Sequence, residues 1–134
     1  MNMYQWEDHT ADARLIIRGT HQEDLFQQGL LGMYAFMEPV KTERVAPLVN
    51  LDLKGRDRAQ LLVDFLSSVI TWSAVNKAHY HTLIIHQLED NHLVALLEGH
   101  CVDRFGKDIK AATHHDVVLH KIHGGYEACI IFDI

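Results

Sequence analysis

A chain of 134 residues, 48% hydrophobic and 22% charged, has the makings of one globular domain over residues 1–134 with an ordinary core. Its net charge of −6 argues against a protein that grips phosphates with a broad basic face, so any nucleic-acid role has to run through a partner or a small local patch. No apolar run approaches the roughly 18 residues of a membrane span. Met1 to Asp12 lack the basic and apolar stretches of a secretory leader, and Cys101 and Cys129 make neither a disulfide framework nor a zinc spacing, so the expected setting is a reducing cytoplasm.

Met3 to Trp6 reads as a short strand, and His9-Thr10-Ala11-Asp12 as a turn or strand entrance. Leu15-Ile16-Ile17 reads as a strand ending at Gly19. Thr20 and Glu23 have capping-box spacing, which predicts a helix from about His21 to Met37 with Leu25, Phe26, Leu30, Met33, Phe36 and Met37 on its apolar face. Gly29 and Gly32 weaken that helix intrinsically, and close packing on a sheet would account for them. Pro39 ends it. Val45 to Leu53, with Val49, Leu51 and Leu53 alternating with Asn50 and Asp52, reads as a half-buried strand. Asp57 and Gln60 mark a second helix start, and the helix runs from about Arg58 to Asn76 with Leu62, Phe65, Leu66, Val69 and Ile70 inward. From His81 the period becomes two. Thr82 to Leu88, His92 to Val102, Lys110 to Lys121 and Tyr126 to Ile134 read as strands, with Gly124-Gly125 as a hairpin signal. Helices early and a strand meander late argue for an α+β fold with two helices on one face of a mostly antiparallel sheet.

Chemistry is sparse. The final stretch, Cys129-Ile130-Ile131-Phe132-Asp133-Ile134, is a strand apolar enough to lie against a core, and it ends on two adjacent carboxylates, the Asp133 side chain and the α-carboxylate of Ile134. Solvation at a sheet edge, a basic residue or a metal ion would each offset their repulsion. Acids are depleted within strands, so Asp12 is either a turn-former or a ligand. First and last strands are often neighbours, which would bring Asp12 to Asp133 and Ile134 and make an oxygen site for Ca²⁺, Mg²⁺ or Mn²⁺. Asp64 falls on a polar stripe of the second helix with Gln60, Ser67, Ser68 and Thr71, which a solvated face explains. The 11 histidines are scattered without a repeated ligand spacing, so most read as surface residues; His9 and His114 stand apart because of their neighbours. Lys110 reads as a solvated residue at a strand start. There is no phosphate-binding Gly-rich loop with Lys, and no Gly-x-Ser-x-Gly elbow.

Four stretches, in order, resemble the archease family: His9-Thr10-Ala11-Asp12, Leu61-Leu62-Val63-Asp64-Phe65-Leu66, Ile109-Lys110-Ala111-Ala112-Thr113-His114-His115, and Ile130-Ile131-Phe132-Asp133-Ile134. The resemblance covers essentially the whole chain. It departs at His114, where the family more often has Tyr, at Ala13, where Val or Gly is usual, and in a shorter segment between Gly99 and Ile109. The resemblance implies a two-layer α+β archease fold (SHS2-like, on a strand-helix-strand-strand core). It implies an accessory protein, not catalytic alone, for the GTP-dependent RtcB-type RNA ligase of tRNA splicing and RNA repair. Such proteins promote guanylylation and multiple turnover of the ligase, meeting GTP at its active site and tRNA or other RNA through it. The implied cofactor is a divalent cation, calcium in the family with Mg²⁺ or Mn²⁺ as alternatives, on Asp12, Asp133 and Ile134. Lys110 matches a lysine implicated in activity, and His9, Asp64 and His114 are further candidates. The alternative is a small stand-alone metal-dependent enzyme acting on a phosphorylated or nucleotide substrate.

Overall fold

The computed structural model describes residues 3–8 and 12–134. Within them the order is β1 (Tyr4–Asp8), β2 (Asp12–Gly19), α1 (Gln22–Met37), β3 (Pro39–Val45), β4 (Val49–Lys54), α2 (Arg58–Asn76), β5 (Ala78–Glu89), β6 (His92–Phe105), β7 (Ala111–Ile122) and β8 (Gly125–Asp133). All the strand pairs are antiparallel, as an α+β reading requires, but they divide between two sheets. The first has the order β1-β2-β8-β7. In the second, β6 is the centre: β5 lines one side, and β4 and β3 share the other in tandem.

β2 alternates strictly between half-buried and buried residues. Ala13, Leu15 and Ile17 face inward, opposite Phe132, Ile130 and Ala128 of β8, all at zero exposure. This face packs on α1. There the two helix glycines find their use: a Cβ on Gly32 would lie 3.0 Å from Leu15 Cδ1, and one on Gly29 would lie 3.2 Å from Leu66 Cδ2 of α2. Trp6 Nε1 donates to the Gly32 carbonyl at 2.8 Å, pinning β1 to the same turn. α2 touches β7 of the first sheet and β5 and β4 of the second, so it links the two. Its Leu61, Leu62, Phe65, Leu66 and Val69 are buried completely. Each such side chain contributes about 1.5–3 kcal/mol by leaving water.

The caps explain the helix limits and correct one expectation. The cap of α1 is His21, not Thr20, and its backbone N–H donates to Asp24 Oδ2 at 2.9 Å, so the reciprocal acid is Asp24 rather than Glu23. Asp57 caps α2 as its spacing with Gln60 predicts, accepting the Gln60 N–H at 2.9 Å. Both helices end on a left-handed residue, Glu38 at φ 53° and Lys77 at φ 50°. Beyond Glu38 the chain does not simply stop being helical at Pro39. It enters β3, a strand missing from the sequence reading because its residues are mostly exposed and do not alternate. The predicted strand Val45 to Leu53 is accordingly split, with β4 beginning at Val49. The β7–β8 hairpin turns on His123-Gly124, with Gly124 at φ 83°, one residue earlier than the Gly-Gly pair suggests. Among the described residues no helix is long and apolar enough to cross a membrane.

Candidate functional site

Three strands end together at one edge of the first sheet. Asp12 opens β2 and lies directly opposite Asp133, which closes β8; Asp133 in turn lies opposite Ala111, which opens β7. The Lys110 N–H donates to the Asp133 carbonyl at 2.8 Å, so the strand entrance before β7 is tied to the same point. Ile134 follows, half-buried and packed against the core, which holds the end of the chain in place. Asp12, Lys110, Asp133 and Ile134 are thus brought together, though by the second and last strands rather than the first and last, since β1 lies on the other side of β2. His9 lies outside the described residues.

Pleating decides which way these groups face. Ala13 and Phe132, the next pair along, are buried against the helices, so the Asp12 and Asp133 side chains leave the opposite face of the sheet on the same side. Like charges directly opposite one another are destabilising. At about 5 Å and an effective dielectric near 20 the bare repulsion is roughly 3 kcal/mol. Among the described residues no Lys, Arg or His nitrogen comes within 4.0 Å of either carboxylate. Two opposed carboxylates are oxygen donors of the kind a hard divalent cation takes, with water completing its shell. Among the described residues no group of three or more His, Cys, Asp or Glu side chains, carboxylates included, is arranged to hold a metal ion.

Asp64 and His114 meet elsewhere. His114 Nε2 and Asp64 Oδ1 are 3.0 Å apart, joining β7 to α2, with the two side chains 51% and 31% exposed. His114 sits in a bulge: between Thr113 and Val118 the β7 chain runs five residues while β8 runs from Ile131 to Cys129, and Asp116 adopts φ 52°. At about 3.3 Å per residue, His114 stands roughly 10 Å along the strand from the Ala111–Asp133 pair. The pair therefore lies apart from the carboxylate end. Asp64 lies on the polar stripe that was read as a solvated face, but it has a partner.

Lys110 lines a hollow of about 370 Å³ with Met37, Ile70, Ala74, Phe105, Asp108 and Ile109.

One cluster escaped the sequence reading. His79, His81 and His100 come together on the second sheet, where His79 pairs with His100 across β5 and β6. A bulge between His79 and Thr82 brings His81 alongside, and Gly99 makes room for it, since a Cβ there would lie 1.9 Å from the His79 carbonyl oxygen. His81 Nε2 and His100 Nδ1 are 2.8 Å apart. His79 packs on the Tyr34 ring, 4.3 Å between centroids, and burial, with the Lys41 charge nearby, lowers its pKa to about 4. Burial also lowers that of His81. Tyr34 accepts the Tyr80 N–H at 3.0 Å and bonds Ser73 Oγ at 2.5 Å, and its burial raises its pKa to about 12. Spacing alone does not show this cluster, because it depends on a bulge.

The chain is 26% identical to the protein archease of Methanosarcina mazei over 141 aligned positions, covering 98% of this chain and 95% of that one. It is 33% identical to the protein archease of Danio rerio over 63 positions, covering 47% and 39%. Its fold superposes on the solution structure of Methanobacterium thermoautotrophicum protein 1598 with a TM-score of 0.72 at 21% identity, covering all of both chains. It superposes on the crystal structure of a Thermotoga maritima protein, described as an archease and possible chaperone, with a TM-score of 0.67 at 18% identity, covering 100% and 99%. The model of the Archease protein family matches residues 4–134, and the chain belongs to that family.

Proposed function

We propose that this archease is an accessory factor of the GTP-dependent RtcB-type RNA ligase in the cytoplasm, promoting ligase guanylylation and multiple turnover without catalysing a reaction alone. The observation that carries the reading is the register of β2 on β8, which sets Asp12 against Asp133 beside Ile134. A divalent cation there, Ca²⁺ or else Mg²⁺ or Mn²⁺, would supply a positive charge for the phosphates of GTP at the ligase active site. Asp12, Asp133 and the Ile134 carboxylate would hold it. Lys110, anchored through its N–H to Asp133, would add charge against the same phosphates. His114 and Asp64 hold β7 to α2 and so support the entrance that positions Lys110. RNA is met through the ligase; with a net charge of −6, free tRNA fragments should bind weakly and with strong salt sensitivity.

A paired comparison tests this. A C-terminal tag converts the Ile134 carboxylate to an amide, and loss of one ligand should weaken cation binding at least about tenfold, near 1.4 kcal/mol. An N-terminal tag should do much less. Asp12→Ala should fold by circular dichroism yet lose cation affinity and stimulation of guanylylation. Equal stimulation by both tagged forms and by Asp12→Ala at limiting cation would remove the site. Turnover of GTP with Mg²⁺ or Mn²⁺ in the absence of ligase would replace the accessory reading with that of a stand-alone enzyme.

A further inference from the structure

Every second residue of β2 leaves the first sheet on the face opposite the helices. Ala13, Leu15 and Ile17 point inward, so Asp12, Arg14, Ile16 and Arg18 point outward, and on β8 so do Glu127, Cys129, Ile131 and Asp133. Two arginines stand on this face, and they differ. Arg18 is paired: its Nε donates to Glu127 Oε2, on the residue directly opposite, at 2.7 Å. Arg14 lies between Glu7 of β1 and Ile131 of β8. Among the described residues no carboxylate oxygen comes within 4.0 Å of its guanidinium, although Glu7 stands directly across from it. Its Nε is buried and has no hydrogen-bond partner among them. Buried donors are nearly always paired, and an unpaired one on a permanent cation is a place for an anion.

Position says which anion. Arg14 is one same-face step from Asp12, about 7 Å along the strand, and lies diagonally across from Asp133. It makes no ion pair with either acid, yet anything seated on them falls within reach of its side chain. A guanidinium is a planar fork of donors that fits two oxygens of a phosphate, and phosphate oxygens are also what a carboxylate-bound divalent cation takes up. We propose that Arg14 is a phosphate-binding residue of the carboxylate end, its fork donating to a phosphate group of a nucleoside triphosphate whose other oxygens meet the cation on Asp12 and Asp133. This rests on the ligase reading above, in which the phosphate belongs to GTP. The acids then recruit the metal, and Arg14 orients the phosphate that the metal draws in.

The test has two arms. In the first, the full chain alone is titrated with GTP and Mg²⁺ and followed by amide NMR shifts, with guanosine as the control for base contacts. Wild type should bind GTP and not guanosine. Arg14→Gln should bind GTP at least tenfold more weakly. Arg14→Lys, which keeps the charge and loses the fork, should fall between them and serves in its place should Arg14→Gln melt early. Calorimetric Ca²⁺ affinity without nucleotide should not fall in Arg14→Gln, since a positive charge has left the neighbourhood. In the second arm, with purified RtcB-type ligase, Arg14→Gln should raise the GTP concentration for half-maximal stimulated guanylylation at least tenfold. GTP affinity within twofold of wild type in Arg14→Gln overturns the proposal, as does wild type that binds guanosine as well as GTP or binds neither. Loss of Ca²⁺ affinity in Arg14→Gln overturns it too, making Arg14 a support for the acids. Arg14-dependent GTP binding without stimulation of the ligase keeps Arg14 and removes the ligase reading. Stimulation that Asp12→Ala abolishes and Arg14→Gln leaves unaltered does the reverse.

Discussion

At one edge of the first sheet two carboxylates oppose each other across β2 and β8; on the second sheet three imidazoles gather across β5 and β6. The imidazoles can shed their charge. Burial holds His79 and His81 neutral, and the close contact between His81 and His100 needs a lone pair on one ring to accept from the other, so both cannot carry their full complement of protons. The two carboxylates stand at the ends of the paired strands β2 and β8, with no Lys, Arg or His nitrogen within 4.0 Å among the described residues. One cluster is settled inside the fold, and the other sets two acids against each other at the strand ends. A concentration of ionisable groups thus points to a ligand only where the fold leaves their charge in place.

Cation-linked stability should show the largest effect. Calcium at a hundred times its dissociation constant stabilises a single-site protein by about 2.7 kcal/mol. Wild type should gain that in a denaturant titration, while Asp133→Asn should gain little. Equal stabilisation of both would assign the cation to another place.

The histidine cluster should show itself through pH. The folded imidazole of His79 stays neutral down to about pH 4, whereas in the unfolded chain it takes up a proton below its ordinary value of 6.5. Unfolding therefore binds a proton between those values. The stabilising effect is fully present above about 6.5, is lost as pH falls toward 4, and changes no further below that. After allowance for residual water at the ring, about 2 kcal/mol should disappear across the window. His79→Leu should flatten that part of the stability profile. The same slope in both proteins would mean that His79 titrates normally.

The like-charge pair offers a smaller test. Without divalent ions, Asp133→Asn should stabilise the protein by about 0.2–1 kcal/mol, less than the bare Coulomb figure because water and salt screen the edge. A loss of stability would mean that the pair is already neutralised. Smallest of all is His114→Ala. Its partly exposed pair with Asp64 should cost under about 1 kcal/mol by chemical denaturation.

Local chemistry made much of this protein legible in its residues. Asp57 and Gln60 mark the start of α2 because a carboxylate three residues before a free N–H caps it whatever the surroundings. The buried strands of the first sheet and the apolar face of α1 follow from side-chain period. The meeting of Asp12 with Asp133 is the expected one, but it comes from the second strand pairing with the last, while the first lies outside them. Tertiary structure decided the rest. β3 is an exposed strand with no alternation to betray it, and it exists because the outer end of β6 offers it hydrogen bonds. The eight strands form two sheets because β6 recruits β3, β4 and β5 while β8 recruits β2 and β7, a choice among long-range pairings that period cannot make. Asp64 found His114, and His81 found His100, through bulges in β7 and β5 that shift the register by amounts no local pattern records. A one-residue change of register turns a side chain to the other face of a sheet, so these encounters are fixed only when the strands have paired.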